Sequence, residues 1–460
     1  MWSYINKTDL ESFINTYSNL AEGFDEISLY ETEERIFVPR LFYINYPKFI
    51  NVFESKELIT PTPTFYKFTG TLRPGQIESV ETVLNLYKTN KYVNGICKMP
   101  PGFGKTVVST YIASKIGLKT CVIIDNENLL QQWVESFLKF TDLKPEDIGL
   151  IKGKHFVVDR PVVIATVQTL LSKVKSDMHK NFQLMDAAGF GLIFYDEIHN
   201  TSSSSKYAKA SLLFRTRNFI GLSATPFQTN IAEVLMRNTV GQNIYETKHY
   251  DLKPTYILNY YDSKLSGKYS FVLGKMPDYI KRKAFYNSII VKSPEYLKII
   301  IRLIKKRLEE GHTVIVLVFT KAQIKLISDG LEAENIIHRR FYGDEKEALD
   351  KATVKVVVAT YSYAGKGFDF EQLSSLILGT NLAGKKSLIQ VIGRILRAAT
   401  EGKIKMAPVV DDLIDMGFPS LFLPDVKAKK NVVKTEFGCE IKDVRDEQIV
   451  DDGEELVWQQ

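Results

Sequence analysis

From residue 63 onward the chain alternates short, nearly unbroken apolar runs with longer stretches of mixed polarity. Thr120-Cys121-Val122-Ile123-Ile124, Val162-Val163-Ile164-Ala165, Leu192-Ile193-Phe194-Tyr195 and Phe219-Ile220-Gly221-Leu222 are of strand length, with helical patterns between them. Runs that are apolar on both faces and separated by helices predict parallel strands covered on both sides. A polar, Tyr- and Lys-rich segment over about 228–290 interrupts the rhythm. It resumes with Thr313-Val314-Ile315-Val316-Leu317-Val318-Phe319, Val354 to Ala359, Leu376-Ile377-Leu378 and Pro408-Val409-Val410. The pattern predicts an α/β fold of two parallel-sheet lobes in tandem, joined by a linker.

Residues 1–60 follow neither rhythm. They are rich in aromatics (Phe37, Phe42, Tyr43, Tyr46, Phe49, Phe53) and end at the punctuation Pro61-Thr62-Pro63. A chain of 460 residues has room for about three domains. The expected division is a small N-terminal accessory domain over 1–62, a first lobe over 63–240 and a second lobe over 241–430. The linker falls at about 241–290, and an acidic tail over 431–460. Hydrophobic core is the expected use of the N-terminal aromatics, with base stacking in a DNA-binding domain as the alternative.

Composition narrows the class. No apolar run approaches the roughly 20 residues of a membrane span, and Met1-Trp2-Ser3-Tyr4 opens no basic-then-apolar secretory signal. Cys97, Cys121 and Cys439 form no close pairs, which argues against a disulfide framework or a zinc site and fits a reducing, cytoplasmic setting. The net charge is +6, but residues 1–60 hold ten acids against five bases and residues 440–460 eight against two. The positive excess therefore lies in the middle of the chain, as a polyanion-binding body would have it.

Met99-Pro100-Pro101-Gly102-Phe103-Gly104-Lys105-Thr106 follows the strand-like Gly95-Ile96-Cys97-Lys98 and opens a helical pattern, Val107 to Ile116. Glycines let backbone N–H groups close around phosphate, and the helix N-terminus adds partial positive charge there. Lys105 can reach the β- and γ-phosphates of ATP, and the Thr106 hydroxyl can ligate Mg²⁺. Met99 stands where the GxxxxGK[ST] pattern has its first glycine. Asp196-Glu197-Ile198-His199 comes directly after the apolar run Leu192 to Tyr195. A carboxylate so placed can hold Mg²⁺ through water, and its neighbour can position and deprotonate an attacking water.

From Arg73 to Asp411 the order of motifs resembles superfamily two helicases of the DExH kind, which implies two RecA-like lobes. Leu72-Arg73-Pro74-Gly75-Gln76 looks like the motif whose glutamine contacts adenine, so Gln76 joins Pro101, Gly102, Phe103, Gly104, Lys105 and Thr106 as a nucleotide contact. Thr166-Val167-Gln168-Thr169-Leu170 resembles the motif that touches the nucleic-acid backbone. Gly221-Leu222-Ser223-Ala224-Thr225-Pro226 matches the coupling motif, which with His199 gives Ser223 and Thr225 a coupling role. In the second lobe Ala359-Thr360 with Gly365-Lys366-Gly367-Phe368-Asp369 looks like motif V, with Gly367 and Asp369 toward the nucleotide. Gln390-Val391-Ile392-Gly393-Arg394-Ile395-Leu396-Arg397 matches the arginine motif. Arginines at i and i+3 share a helix face and can neutralise charge developing on the γ-phosphate, Arg397 as the finger and Arg394 as its partner.

The same resemblance implies a motor that steps along a nucleic-acid strand, with Thr166, Gln168, Thr169, Thr320, Thr360 and Gly365 as candidate backbone contacts. Such contacts position a strand without reading it, and they are salt-sensitive. Trp133, after Gln132, reads chiefly as packing; Lys281-Arg282-Lys283 is either a DNA contact or a solvated face. With Val38-Pro39-Arg40, the layout resembles phage branch-migration helicases of the UvsW type. That implies forked or branched DNA, 3′-to-5′ movement, replication, recombination or repair, and the cytoplasm of an infected host. A monomer or weak oligomer working with replication or recombination proteins is the expected state. An RNA helicase and a motor subunit of a restriction or remodelling complex stay open as alternatives.

Overall fold

Strand Asn94–Lys98 lies second from one edge of an eight-stranded sheet. The order across that sheet is Asn243–Glu246, Asn94–Lys98, Asn218–Ser223, Leu192–Tyr195, Thr120–Ile124, Val162–Thr166, Ile148–Lys152 and His155–Phe156. All pairings are parallel except the terminal hairpin. The computed structural model describes residues 2–17, 28–53, 60–125, 127–198, 201–224, 230–247, 250, 252–274, 281–282, 284–342, 345–346, 353–364, 372–382, 384–396 and 406–445. The chain divides into two compact units, Met1–His249 and Tyr250–Gln460.

The apolar runs of the first unit are central strands, as their two-sided hydrophobicity requires. Every residue of Thr120–Ile124, Val162–Thr166 and Asn218–Ser223 is buried. Register aligns the carboxyl ends: Ser223 lies beside Lys98, Tyr195 beside both Gly221 and Ile123, and Ile124 beside Thr166. The loops that follow these strands therefore gather on one edge, where open α/β sheets bind ligands.

The N-terminal residues form an antiparallel sheet ordered Tyr30–Glu31, Arg35–Val38, Trp2–Asn6 and Asn51–Phe53. Its rings pack on one another, Phe13 lying 6.0 Å from both Tyr46 and Phe49, and this packing continues into the first lobe. Ile5, Phe13, Ile36, Val38 and Phe42 belong to the same apolar cluster as Tyr195, Phe219, Leu235 and Met236. Where a separate accessory domain over 1–62 is expected, the structure shows a sheet that buries its aromatic face on the first lobe.

The second unit is an eight-stranded sheet ordered Glu345–Lys346, His338–Tyr342, Val356–Thr360, Val314–Val318, Ser375–Leu378, Val409–Asp415, Thr255–Tyr261 and Glu440–Arg445. Only the first pair is antiparallel. Two expectations are corrected here. The segment 241–290 is not a linker, since Asn243–Glu246 completes the first sheet and Thr255–Tyr261 runs inside the second. Nor is 431–460 all tail, since helix Pro419–Phe437 and strand Glu440–Arg445 belong to the fold.

The physical reason is that polar groups here satisfy one another across strands. The Tyr256 hydroxyl donates to Asp412 Oδ2 at 2.7 Å, and Asn259 Nδ2 donates to Asp411 Oδ1 at 3.0 Å. Asp411 also takes two hydrogen bonds from Arg307, at 2.7 and 2.8 Å, and Asp412 pairs with Lys429 at 2.7 Å. Both aspartates are fully buried. Among the described residues no helix is long and apolar enough to cross a membrane.

Candidate active site

The turn after Asn94–Lys98 leads into helix Lys105–Ile116. Gly102 (φ 81°) and Gly104 (φ 91°) sit in the left-handed region that favours glycine. A Cβ on Gly104 would fall 2.4 Å from Gln76 Nε2. Met99 is 1% exposed and its N–H donates to the Ser223 carbonyl at 2.8 Å. It packs inward with no left-handed backbone, so the missing glycine leaves the turn intact. Gly104 offers no side chain to cap the helix, and the amides of the first turn lack intrahelical acceptors. The helix N-terminus is thus open to an anion.

A glutamine and an arginine fasten the turn from behind. At the start of helix Pro74–Asn90, Gln76 Oε1 accepts from the Arg73 N–H at 2.9 Å and Gln76 Nε2 donates to the Phe103 carbonyl at 2.8 Å. The Arg73 guanidinium donates to the carbonyls of Gly102, at 3.1 Å, and Phe103. Gln76, read from the sequence as a nucleotide contact, is 2% exposed and grips the phosphate loop. Arg73 was visible only as part of the motif around it.

Two carboxylates extend from strand Leu192–Tyr195. Lys105 Nζ pairs with Glu197 Oε1 at 2.7 Å, both side chains mostly buried. Glu197 has φ 51°, a left-handed conformation that costs a non-glycine residue about 1–2 kcal/mol and tends to mark functional sites. Asp196 is 6% exposed, its N–H donates to the Ile123 carbonyl at 3.0 Å, and its own carbonyl accepts from the Tyr207 hydroxyl. Its Oδ2 accepts from the Trp133 indole N–H at 2.9 Å. Burial and then the charge of Glu197 push the Asp196 pKa up to about 6, while Lys105 and the indole pull it down. Trp133, read as packing, is also the residue that holds this carboxylate. The available signal is that a buried indole N–H must find an acceptor.

These residues fit ATP with Mg²⁺. The Thr106 hydroxyl and Asp196 carboxylate are hard oxygen donors, and a buried carboxylate with a raised pKa is short of positive charge. No cluster of three or more His, Cys, Asp or Glu side chains suited to a metal occurs among the described residues. A divalent ion here would complete its shell with phosphate oxygens and water, as Mg²⁺ does in phosphoryl-transfer sites.

The other sequence candidates divide. Ser223 is buried at its strand end. Thr166 and Thr169 share a 2.8 Å hydroxyl contact, and the Thr169 hydroxyl accepts from the Gly153 N–H at 2.9 Å. These hydroxyls secure a strand end instead of facing out to grip phosphates. Exposed Gln168 donates to the carbonyl of Asp125 at 2.7 Å. Thr320 caps helix Lys321–Ala333, accepting from the Gln323 N–H at 3.2 Å, and Thr360 contacts Ser362 at 3.1 Å. On helix Lys385–Ile395, Gln390 and Arg394 form the less buried stripe between buried Ile389, Val391, Ile392 and Ile395. Arg282, for which the sequence offers a DNA contact or a solvated face, pairs with Asp425 at 2.6 Å. His199, Thr225, Gly365, Gly367, Asp369 and Arg397 lie outside the described residues.

Residues 69–228 match the family described as type III restriction enzyme, res subunit. Over 326 residues the chain is 26% identical to the probable helicase D10 of Escherichia phage T5, a stretch covering 69% of this chain and 67% of that protein. Over 182 residues it is 31% identical to the DNA 3′-5′ helicase XPB of Kineococcus radiotolerans, 40% of this chain and 31% of that one. In three dimensions it resembles S. cerevisiae Dbp5 bound to RNA and ADP BeF3. The TM-score is 0.52 at 15% identity, over 83% of this chain and 97% of that one. The structural likeness concerns the fold alone: two α/β units of the RecA-like kind.

Proposed function

We propose how this chain, whose homology is that of an ATP-dependent helicase shared with phage proteins, hydrolyses ATP and what it moves along. The observation that carries the reading is the Lys105–Glu197 pair at 2.7 Å beside an Asp196 carboxylate fixed by Trp133. Lys105 and the first-turn amides bind the phosphates, and Gln76 and Arg73 hold the loop around them. Thr106 and Asp196 would hold Mg²⁺, which would supply neutralising charge to the phosphates. Glu197 orients the attacking water and accepts its proton. Arg394, Gln390 and Arg397 are proposed to stabilise charge during hydrolysis, as the motif resemblance implies, and Ser223, Thr225 and His199 to couple hydrolysis to movement.

DNA is the proposed track, moved along in the 3′-to-5′ direction. The relative named as a DNA 3′-5′ helicase supports this, as does the basic middle of the chain. Forked or branched DNA, in replication, recombination or repair, is the proposed setting. The match to a restriction-enzyme subunit supports a second reading, a motor within a larger assembly.

Two measurements test these readings. Glu197→Gln is expected to bind ATP and DNA while turnover falls by at least about a thousandfold; undiminished turnover overturns the assignment. ATPase stimulation and unwinding across single strands, forks, four-way junctions and structured RNA tests the track. Stimulation by RNA alone overturns DNA, and movement on linear duplex without strand separation favours the assembly motor.

A further inference from the structure

Arg40 has no part in the site described so far, yet its surroundings are specific. Its backbone carbonyl accepts from Ser3 Oγ at 2.9 Å, and the next N–H, of Leu41, donates to the Asn238 carbonyl at 2.7 Å. Asn45 Nδ2 adds a 2.6 Å bond to Asn238 Oδ1. The N-terminal region is thereby fastened to helix Asn230–Thr239 just after this arginine. The side chain turns inward and is 7% exposed. Its guanidinium carbon lies 4.1 Å from the centroid of the Phe219 ring, and Nη1 has no hydrogen-bond partner among the described residues. Arginine is seldom buried unless paired, and a buried charge without a carboxylate is costly. Stability alone would be served better by an apolar side chain.

What the guanidinium covers leads to the catalytic carboxylates. Phe219 stacks on Tyr195 with centroids 5.9 Å apart and planes at 24°. Tyr195 meets Tyr207 edge-on at 5.3 Å and 64°. The Tyr207 hydroxyl donates to the carbonyl of Asp196. Phe219 and Tyr195 stand on paired strands, one ending at Ser223 and the other running into Asp196 and Glu197. All three rings are fully buried in one cluster.

We propose that Arg40 is a positioning residue for ATP hydrolysis: anchored by the N-terminal sheet, it clamps Phe219 and, through Tyr195 and Tyr207, fixes the backbone at Asp196. The sheet is then a brace of the ATPase and not a free DNA-binding module. The inference rests on the reading of Asp196 and Glu197 as the catalytic carboxylates.

The test compares steady-state ATP hydrolysis by the full-length wild type, Glu197→Gln, Arg40→Lys, Phe219→Leu, Tyr207→Phe and the Arg40→Lys/Tyr207→Phe pair. Thermal unfolding confirms that each variant is folded. Turnover lost in Glu197→Gln establishes the site; a wild type without turnover overturns the site and this proposal together. With the site established, Arg40→Lys, which keeps the charge but not the planar stack, and Tyr207→Phe, which removes one hydroxyl, are each expected to lower kcat on the order of tenfold. KM for ATP should stay within about twofold, as for an interaction made during the chemical step. The double variant should lose little beyond the worse single one, because the residues act as one connected unit. Wild-type kcat in folded Arg40→Lys, or losses that multiply in the double variant, overturns the proposal. If Arg40→Lys fails to fold, wild-type kcat in Tyr207→Phe does so.

Discussion

The indole N–H of Trp133 and the carboxylate of Asp196 meet at 2.9 Å in a buried environment, sixty-three positions apart in the chain. Helix Asn128–Phe140 thus reaches the end of strand Leu192–Tyr195 with a single directed bond. That bond favours the charged carboxylate. The Asp196 pKa already stands at about 6, so removing the donor raises it further. In Trp133→Phe the carboxylate of the free enzyme protonates at higher pH, and the acid limb of the kcat/KM profile, which reports the free enzyme, is expected to move up by about one pH unit. The check is kcat/KM for ATP against pH from 5 to 9; an acid limb unmoved from wild type refutes it.

Lys105→Met removes the ammonium from the phosphate loop and leaves Glu197 without its 2.7 Å ion-pair partner. ATP binding should weaken by about ten- to a hundredfold, the worth of one hydrogen bond to a charged group. Fluorescent-nucleotide titration measures it, and wild-type affinity would show that the loop binds phosphate without this lysine.

Gly221 lies where a Cβ would stand 2.4 Å from Ile198 Cδ1, one residue beyond Glu197. Gly221→Ala should destabilise the first unit by about 1–3 kcal/mol through overpacking and lower turnover with it. Ile198→Val removes the offending methyl and should restore part of both. Melting temperature and kcat in the single and double variants decide this, and a double variant no better than Gly221→Ala counts against the steric account.

Lys429 and Asp412 form a buried pair at 2.7 Å, joined by the Tyr256 hydroxyl. Lys429→Met strands a buried carboxylate, at an expected cost of about 3–5 kcal/mol, whereas Lys429→Met with Asp412→Asn removes both charges and should cost less. Denaturant unfolding of the three proteins measures the difference. A double variant worse than Lys429→Met excludes charge stranding as the cause.

The parallel strands were legible because apolar runs such as Val314 to Val318 have no other stable home. The strand Thr255–Tyr261 was not, because its tyrosines and asparagine count as polar until Asp411 and Asp412 arrive from far along the chain. The glycine turn before Lys105 and the acidic pair Asp196-Glu197 could be picked out locally, since each motif is continuous. Trp133, Tyr207 and Arg73 could not be assigned these roles, because each acts through hydrogen bonds whose acceptors sequence spacing does not reveal. The N-terminal aromatics showed a need for burial without showing what would cover them.

Strand Thr255–Tyr261 lies between Val409–Asp415 and Glu440–Arg445, and this bears on how the protein is made. Both neighbours leave the ribosome about 150 residues or more after it, a delay on the order of ten seconds at ordinary elongation rates. The first unit has all its strands by Glu246 and can fold while synthesis continues. The second must hold a tyrosine-rich strand unpaired until residues 409–445 have emerged. A nascent chain stalled before residue 409 would carry a finished first unit tethered to an unfinished second one, a natural target for chaperones and proteases.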